Sequence, residues 1–182
     1  MDNKKQIEQE LIQGCEKGNR KSQEEFYKLF APNMYTICLS YATKKDDAMD
    51  ILQDGFIKAF RNIKKFSADG SLEGWVRRII VNTAIDYYRK NKKEISFLDS
   101  AEIQISDQGK ENVFANFGLE DILGYLNKLP EGARLIFNLY AVEGYNHREI
   151  AEKLNVTEGT SKSQFNRART LLKEWMGPEF AR

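Results

Sequence analysis

The feature of this 182-residue sequence that most restricts its fold is the spacing of its apolar residues, which recur every three or four positions. That spacing is typical of amphipathic α-helices. No segment alternates apolar and polar residues long enough to predict a strand. The cleanest stripe consists of Ala48, Ile51, Leu52, Gly55, Phe56, Ala59, Phe60 and Ile63. The sequence therefore predicts an all-α protein.

Two further apolar stripes complete the first half of the chain. The earlier one consists of Leu11, Phe26, Leu29, Phe30, Met34, Ile37, Cys38 and Tyr41. Pro32 is expected to kink or divide that helix, since proline lacks the backbone donor. The later stripe consists of Leu72, Trp75, Val76, Ile79, Ile80, Ala84 and Tyr87. A break at Asp69-Gly70-Ser71 precedes it and predicts an exposed loop over residues 66–70.

Residues 94–116 differ from the rest of the chain. They contain Ser, Asp, Gly, Gln and Asn without sustained periodicity, and they carry one basic and five acidic side chains. This composition predicts a flexible linker. We therefore expect two small helical domains, residues 1–93 and residues 117–182, in a chain whose formal net charge is only +1.

The second domain has the pattern of a helix-turn-helix. One helix should end before Pro130 and a second near Gly144. Asn146 and Glu149 then have the spacing of a capping box, which predicts a short helix with Ile150, Ala151 and Leu154 buried. A turn at Asn155-Val156 precedes another helix. Within that last helix we expect these residues to face inward: Phe165, Ala168, Leu172 and Trp175.

The outer face of the last helix is polar and basic. It is predicted to present Lys162, Ser163, Asn166 and Arg167. Between Gly159 and Lys173 the sequence has four basic residues and no acidic one. Such a face suits phosphates and base edges of duplex DNA. An ordinary amphipathic hairpin with a solvated basic face would show the same pattern, so both interpretations stay open here.

A cluster of carboxylates marks the helix that begins near residue 46. Asp47, Asp50 and Asp54 are predicted on its outer face beside Gln53, where like charges repel unless solvent or a partner compensates. A solvated helix start favoured by the macrodipole explains Asp46 and Asp47, but it explains Asp54 poorly. Residues 46–50 also match the DDxxD pattern with which isoprenoid synthases hold magnesium. That enzyme would need a second metal motif and a large apolar cavity, and the sequence shows neither.

Loop 66–70 and the helix after it combine aromatic and basic residues. Charges for a backbone and flat faces for unstacked bases are what single-stranded nucleic acid requires. We expect Asn82 and the loop around Phe66 to be exposed, and Trp75 and Tyr87 to belong to the core.

Several classes of protein are excluded by composition. Cys15 and Cys38 are too few for a disulfide scaffold, and His147 is the only histidine, so no zinc site is expected. No apolar run approaches the roughly 20 residues of a membrane span. We therefore expect a cytoplasmic protein without metal, cofactor or membrane insertion.

Five motifs together give a resemblance to a known family. They are Asp47-Ala48-Met49-Asp50-Ile51-Leu52-Gln53-Asp54-Gly55-Phe56, Trp75-Val76-Arg77-Arg78-Ile79-Ile80-Val81-Asn82-Thr83-Ala84, Leu129-Pro130, Glu149-Ile150-Ala151-Glu152-Lys153-Leu154, and Gly159-Thr160 with Arg167-Ala168-Arg169. Their order, with a gap of linker length between the second and third, resembles the extracytoplasmic-function (ECF) sigma factors of bacterial RNA polymerase. The resemblance covers nearly the whole chain.

The resemblance implies a role for each motif. Asp50, Gln53 and Asp54 match the face that binds the clamp helices of the largest polymerase subunit. The minus-ten element would be captured by Phe66, Ser67, Ala68, Asp69, Gly70, Arg78 and Asn82. The minus-thirty-five element would be read by Lys162, Ser163, Asn166 and Arg167. The linker would pass near the polymerase active centre. Implied partners are core RNA polymerase, promoter DNA and an anti-sigma factor, and no catalytic residue is implied.

The chain departs from the family pattern at several positions. Gln164 and Asn166 are less common choices, so the promoter sequence cannot be inherited from other members of the family. Met49 replaces a usually acidic residue, and Ser161 replaces a usually aliphatic one. The alternative to a sigma factor is a helix-turn-helix regulator that binds DNA without polymerase, which would leave the acidic face around Asp50 and Asp54 unexplained.

Overall fold

The structure is a computed structural model, and it describes residues 2–67, 70–91 and 118–177. Within these ranges every regular element is helical, which confirms the all-α prediction. The predicted linker, residues 94–116, lies outside the described residues. The chain divides into two compact units, Met1–Tyr88 and Arg89–Arg182.

Eight α-helices occupy the described residues. They are α1 (Asp2–Glu16), α2 (Arg20–Tyr41), α3 (Lys45–Asn62), α4 (Leu72–Asn91), α5 (Leu119–Lys128), α6 (Glu131–Phe137), α7 (His147–Leu154) and α8 (Glu158–Met176). A 3₁₀ turn, Ile63–Lys65, extends α3, and a π-helical turn, Asn138–Val142, extends α6.

Helix α2 runs without interruption through Pro32. The sequence predicted that this proline kinks or divides the helix, and the prediction of a division was wrong. Because proline has no N–H, the Lys28 carbonyl receives no hydrogen bond from position 32. Pro32 and Lys28 are both exposed, so water can bond to that carbonyl instead. The neighbouring residues Phe30, Ala31 and Met34 are buried and hold both halves of the helix against the core.

An aromatic cluster joins α2 to α3 in the core of the first unit. The ring of Phe26 lies 4.9 Å from Phe30, 6.3 Å from Phe56 and 5.5 Å from Phe60, measured between centroids. The buried side of α3 is the stripe that the sequence predicted. Leu29, which was included in the stripe of α2, is 50% exposed instead, because it lies on the flank of a helix whose buried positions include 26, 30, 34 and 38.

The buried side of α4 is rotated relative to the predicted stripe. Its buried apolar residues are Leu72, Val76, Ile80, Val81, Ala84, Ile85 and Tyr88. Trp75 and Tyr87, which were expected in the core, are only half-buried. Val81 and Ile85, which were not part of the predicted stripe, are buried instead.

Helices α3 and α4 approach closely at Gly55. A Cβ atom at this position would lie 2.3 Å from Cδ1 of Ile80, which is fully buried. Only glycine therefore fits without displacing the isoleucine. Two polar contacts support the same pair of helices: Tyr87 Oη donates to Asp47 Oδ1 at 2.7 Å, and Lys58 Nζ donates to Asp86 Oδ2 at 2.9 Å.

Gly55→Ala is expected to destabilise the first unit. Overpacking of a buried contact costs about 1–3 kcal/mol, and the gain in helix propensity of about 1 kcal/mol offsets only part of it. The control is Gly124→Ala in α5, where an added Cβ meets nothing within 4 Å and should stabilise its own unit. Urea unfolding of both variants measures the difference, and equal stabilisation by both would contradict the close approach.

The second unit packs α6 and α7 against α8. One apolar cluster of its core consists of Leu126, Leu129, Ala133, Phe137, Ala168, Leu172 and Met176. Helix α5 ends before Pro130, as predicted, and α6 continues in the π-helical turn that ends at Val142, two residues before Gly144.

The local signals of the helix-turn-helix are confirmed. The Asn146 side chain accepts from the Glu149 N–H at 2.9 Å, and Glu149 Oε2 accepts from the Asn146 N–H at 2.8 Å. Asn155 adopts the left-handed conformation at φ 55°, which asparagine tolerates better than most residues and which turns the chain after α7. Thr157 then caps α8 by accepting from the Thr160 N–H.

Candidate functional site

One candidate surface lies on the exposed side of α3. We call it the α3 face and define it as Met49, Asp50, Gln53, Asp54 and Ile57, all of which are exposed. Residues four apart lie one above the other on a helix, so the face is continuous over more than two turns. Its apolar members are 40% exposed at Met49 and 46% at Ile57. The sequence predicted the carboxylates here and identified Met49 as a departure from the family pattern. Ile57 was missed, although its position outside the buried stripe indicated that it is exposed.

Asp47 does not belong to this face. The sequence placed it beside Asp50 and Asp54, but the side chain is half-buried and its carboxylate accepts a hydrogen bond from the Tyr87 hydroxyl. Its carboxylate therefore connects α3 to α4. Within the part of the chain that the structure describes, no group of three His, Cys, Asp or Glu residues is placed to hold a metal ion.

The loop before α4 is the second candidate surface. Ser67 and Gly70 are exposed, whereas Ala68 and Asp69 lie outside the described residues. Phe66 was expected to be exposed and is half-buried instead, because its ring packs edge-on against Trp75 with 5.7 Å between centroids.

The polar side of α4 continues from this aromatic pair. Trp75, Arg78 and Asn82 are spaced by three and four residues, so they follow one another along the same side of the helix. Arg78 is exposed, whereas Asn82 is half-buried rather than exposed as predicted. The structure thus brings Phe66 into contact with the helix that carries Arg78 and Asn82.

Three basic residues next to this loop were not predicted to belong to the site. Arg61, Lys64 and Lys65 are all exposed at the end of α3 and in the 3₁₀ turn that leads into Phe66. Their clustering within five positions was the available signal. Positive charge beside the loop would favour a nucleic-acid backbone there.

The third candidate surface is the first half of α8. Lys162 is exposed and lies near the N-terminal end of the helix, and Ser163 and Arg167 are half-buried. Ser163 Oγ donates to the carbonyl of Thr160 at 3.0 Å, so its hydroxyl is engaged along the helix.

Asn166 was predicted on the outer face of α8 and is buried instead. The residue is 8% exposed, and its Nδ2 donates to the carbonyl of Lys162 one turn earlier on the same helix. Asparagine side chains often bond locally to the backbone, which competes with other contacts. The buried side of α8 is also shifted from the predicted one, because Ser161 and Gln164 are buried while Phe165 and Trp175 are partly exposed.

The two cysteines are core residues. Cys15 and Cys38 are both free and buried, and burial raises the pKa of the Cys38 thiol to about 12. A thiol with such a pKa stays protonated and unreactive near neutral pH. None of the described helices is both long enough and apolar enough to cross a membrane.

Comparison with known proteins covers both units. Residues 26–94 match the family model for sigma-70 region 2, and residues 119–172 match the model for sigma-70 region 4. The RNA polymerase sigma factor SigV of Bacillus subtilis (strain 168) is 31% identical over 141 residues, which cover 78% of this chain and 82% of SigV. The ECF RNA polymerase sigma factor SigM of the same organism is 28% identical over 151 residues, which cover 82% of this chain and 92% of SigM.

A solved structure is also similar. The sigma factor RpoE from Bartonella quintana, in complex with the anti-sigma factor NepR, superimposes with a TM-score of 0.50 at 25% sequence identity. The match covers 84% of this chain and 95% of that one.

Proposed function

We propose a role for each of the three candidate surfaces, because the chain belongs to the extracytoplasmic-function (ECF) family of RNA polymerase sigma factors. As a member of that family, the chain binds core RNA polymerase, recognises the minus-ten and minus-thirty-five promoter elements, and promotes DNA melting for transcription initiation. The proposal assigns residues 1–93 to polymerase and minus-ten binding, and residues 117–182 to minus-thirty-five binding. Residues 94–116 would connect the two.

The α3 face would dock on the polymerase. It combines exposed carboxylates at Asp50 and Asp54 with the amide of Gln53 and the apolar side chains of Met49 and Ile57. A partner with basic residues around an apolar centre would compensate the charge repulsion and remove the apolar area from water. This face is the observation that carries the proposal, since a regulator that binds DNA alone has no use for it.

The loop around Phe66 and the polar side of α4 would capture the minus-ten strand. Arg78 supplies a charge for the backbone, and the Asn82 amide can both donate to and accept from a base edge. Phe66 and Trp75 supply aromatic surface beside them. Ser67, Ala68, Asp69 and Gly70 are assigned to the same site. A base held outside the stack here would offset a duplex-opening cost of a few kcal/mol.

Helix α8 would lie in the major groove of the minus-thirty-five element. Lys162, Ser163 and Arg167 occupy the part of the helix that contacts base edges in helix-turn-helix proteins. Asn166, which the sequence placed on this surface, is less suited to read a base, because it is buried and its amide donates to the Lys162 carbonyl.

An anti-sigma factor is the proposed protein antagonist. The support is the RpoE structure, in which a relative of this chain is bound to NepR. We assign no catalytic residue, metal or cofactor to the chain, since the polymerase supplies the chemistry of RNA synthesis. Its place of action would be the nucleoid, within the holoenzyme.

Two assays test this function together. A pull-down with core RNA polymerase should retain the chain, and run-off transcription with the added chain should start at discrete promoters. A helix-turn-helix regulator would instead bind duplex DNA alone and would not be retained by the polymerase. That outcome would overturn the proposal.

Substitution of Lys162 and Arg167 by alanine tests the assignment of α8. Loss of a base contact is expected to weaken binding of the holoenzyme to the upstream element by about 1–3 kcal/mol with relaxed sequence preference. Loss of a phosphate contact should weaken binding to all duplexes and make the salt dependence shallower. Lys128→Ala, which removes one positive charge from an exposed position of α5, is the control. If neither alanine variant alters binding in gel-shift titrations, α8 does not read DNA through this surface.

A further inference from the structure

The only histidine of the chain bridges the two helices of the helix-turn-helix. His147 is the first residue of α7, and its Nδ1 lies 2.9 Å from Oγ of Ser161 in the first turns of α8. Ser161 is 0% exposed. A buried hydroxyl without a hydrogen-bond partner costs free energy. The bond to His147 therefore favours one arrangement of Ser161 relative to α7.

The imidazole ring is itself held in place by two aromatic side chains. It stacks on Tyr140 with 4.4 Å between centroids and 17° between planes, and it meets the edge of Phe165 at 5.8 Å. Tyr140 belongs to the π-helical turn after α6, and Phe165 belongs to α8. The ring therefore has little freedom to follow Ser161 if α8 rotates.

A hydrogen bond restrains a helix differently from an aliphatic contact. A hydrogen bond is directional: it prefers a donor–hydrogen–acceptor angle above about 150° and weakens steeply below about 120°. Ser161 directly precedes Lys162 and Ser163 in the sequence, so a rotation of α8 that breaks the bond also moves these side chains. The His147–Ser161 bond thus acts where the helix begins its proposed DNA-binding surface.

The geometry points to His147 as a positioning residue for DNA recognition: through its bond to Ser161 it sets the rotation of α8 about its own axis. Neither residue needs to contact DNA. The inference rests on the proposed function of α8 and deepens it, because sequence preference would depend on a pair of residues outside the reading surface.

A double-mutant cycle in the holoenzyme tests this role. The variants are Ser161→Ala, His147→Phe and the two combined, and the phenylalanine keeps an aromatic ring while removing the polar atom. Two promoter duplexes are compared: one mapped by run-off transcription, and the same duplex with a scrambled upstream element. The measurement is the affinity for the mapped duplex divided by the affinity for the scrambled one. Each single change should lower that ratio about 3- to 30-fold, and the double change should lower it no further than the stronger single one.

A pair of conservative variants separates positioning from general stability. The amide of His147→Asn can place a polar atom near the position of Nδ1, whereas that of His147→Gln reaches toward Nε2 instead. The asparagine variant should recover most of the preference and the glutamine variant should not. If His147→Phe fails to fold, the comparison of the asparagine and glutamine variants still tests whether His147 positions α8.

Several results would overturn the inference. They are an unchanged affinity ratio in both single variants, additive effects in the double variant, an equal loss of affinity for both duplexes, or equal behaviour of the Asn and Gln variants. These differ from a failure of the proposed function, in which the unsubstituted holoenzyme would show no preference for the upstream element at all.

Discussion

Charge reversal of Asp50 and Asp54 to lysine is expected to abolish assembly of the chain with core RNA polymerase. Both side chains are exposed, so the change should leave the helical fold intact, while it places two cations where a basic partner surface is proposed. Like charges brought together across an interface cost several kcal/mol. Gel filtration of the mixture with core enzyme would show the free chain and no holoenzyme peak.

The control for this experiment is Glu16→Lys with Glu25→Lys. These glutamates are exposed on α1 and α2, so the double variant has the same net charge as the test variant without altering the α3 face. Assembly should be unaffected. A second comparison, Asp50→Asn with Asp54→Asn, should weaken binding less than charge reversal, because it removes attraction without adding repulsion.

The apolar part of the α3 face makes the test more specific. Ile57→Ser should weaken assembly without changing net charge, since the exposed isoleucine would be buried at the proposed interface. Holoenzyme formation by the lysine variant at the level of the unsubstituted chain would show that the polymerase binds elsewhere.

Local signals in the sequence predicted most of the helix boundaries. The capping box at Asn146, the left-handed turn at Asn155 and the end of α5 before Pro130 each depend on residues within a few positions of one another. Such signals do not need the rest of the fold. Pro32 shows the limit of a local rule, because burial of the residues around it kept α2 continuous where the proline alone predicted a break.

Which side of a helix faces the core was predicted less well. Asp47 was placed on an exposed face, but a tyrosine 40 residues away in the sequence donates to its carboxylate. Phe66 was placed in an exposed loop, but it packs on Trp75. No local pattern contains these pairings, because they arise only when α4 is packed against the rest of its unit.

The buried side of α8 was also predicted only in part. The sequence placed Phe165, Ala168, Leu172 and Trp175 inward, but the buried side also includes the polar residues Ser161 and Gln164. A periodicity of apolar residues cannot reveal a core position occupied by serine. The sequence did single out Ser161 as unusual, but its partner His147 became visible only in the structure.

Loss of the Asn82 amide is expected to reduce open-complex formation on a fully duplex promoter. Asn82 lies one turn after Arg78 on the side of α4 that also carries Trp75, against which Phe66 packs. If the amide holds an unstacked base, Asn82→Ala removes a contact of about 1–3 kcal/mol, which corresponds to at least a fivefold loss of open complex. Phe66→Ala should act in the same direction, since it removes the aromatic surface beside the base.

Controls separate this effect from a loss of folding or docking. Both variants should bind core polymerase and an upstream-element duplex normally, because the α3 face and α8 are unchanged. Tyr27→Ala removes a different ring contact, 4.7 Å from Phe56 in the same unit, and should leave melting unaffected. Asn82→Asp keeps the size of the side chain but lacks the amide donors, so it should fail as well if the amide donates to the base.

A promoter with a pre-melted minus-ten bubble distinguishes melting from base capture. The bubble removes the cost of opening the duplex but does not restore the missing contact, so it should recover only part of the loss. Permanganate footprinting of unpaired thymines measures the open complex on both templates. Full recovery on the bubble would mean that Asn82 assists opening without holding a base. Full activity of both variants on duplex DNA would mean that the first unit reads nothing and serves only to attach the chain to the polymerase.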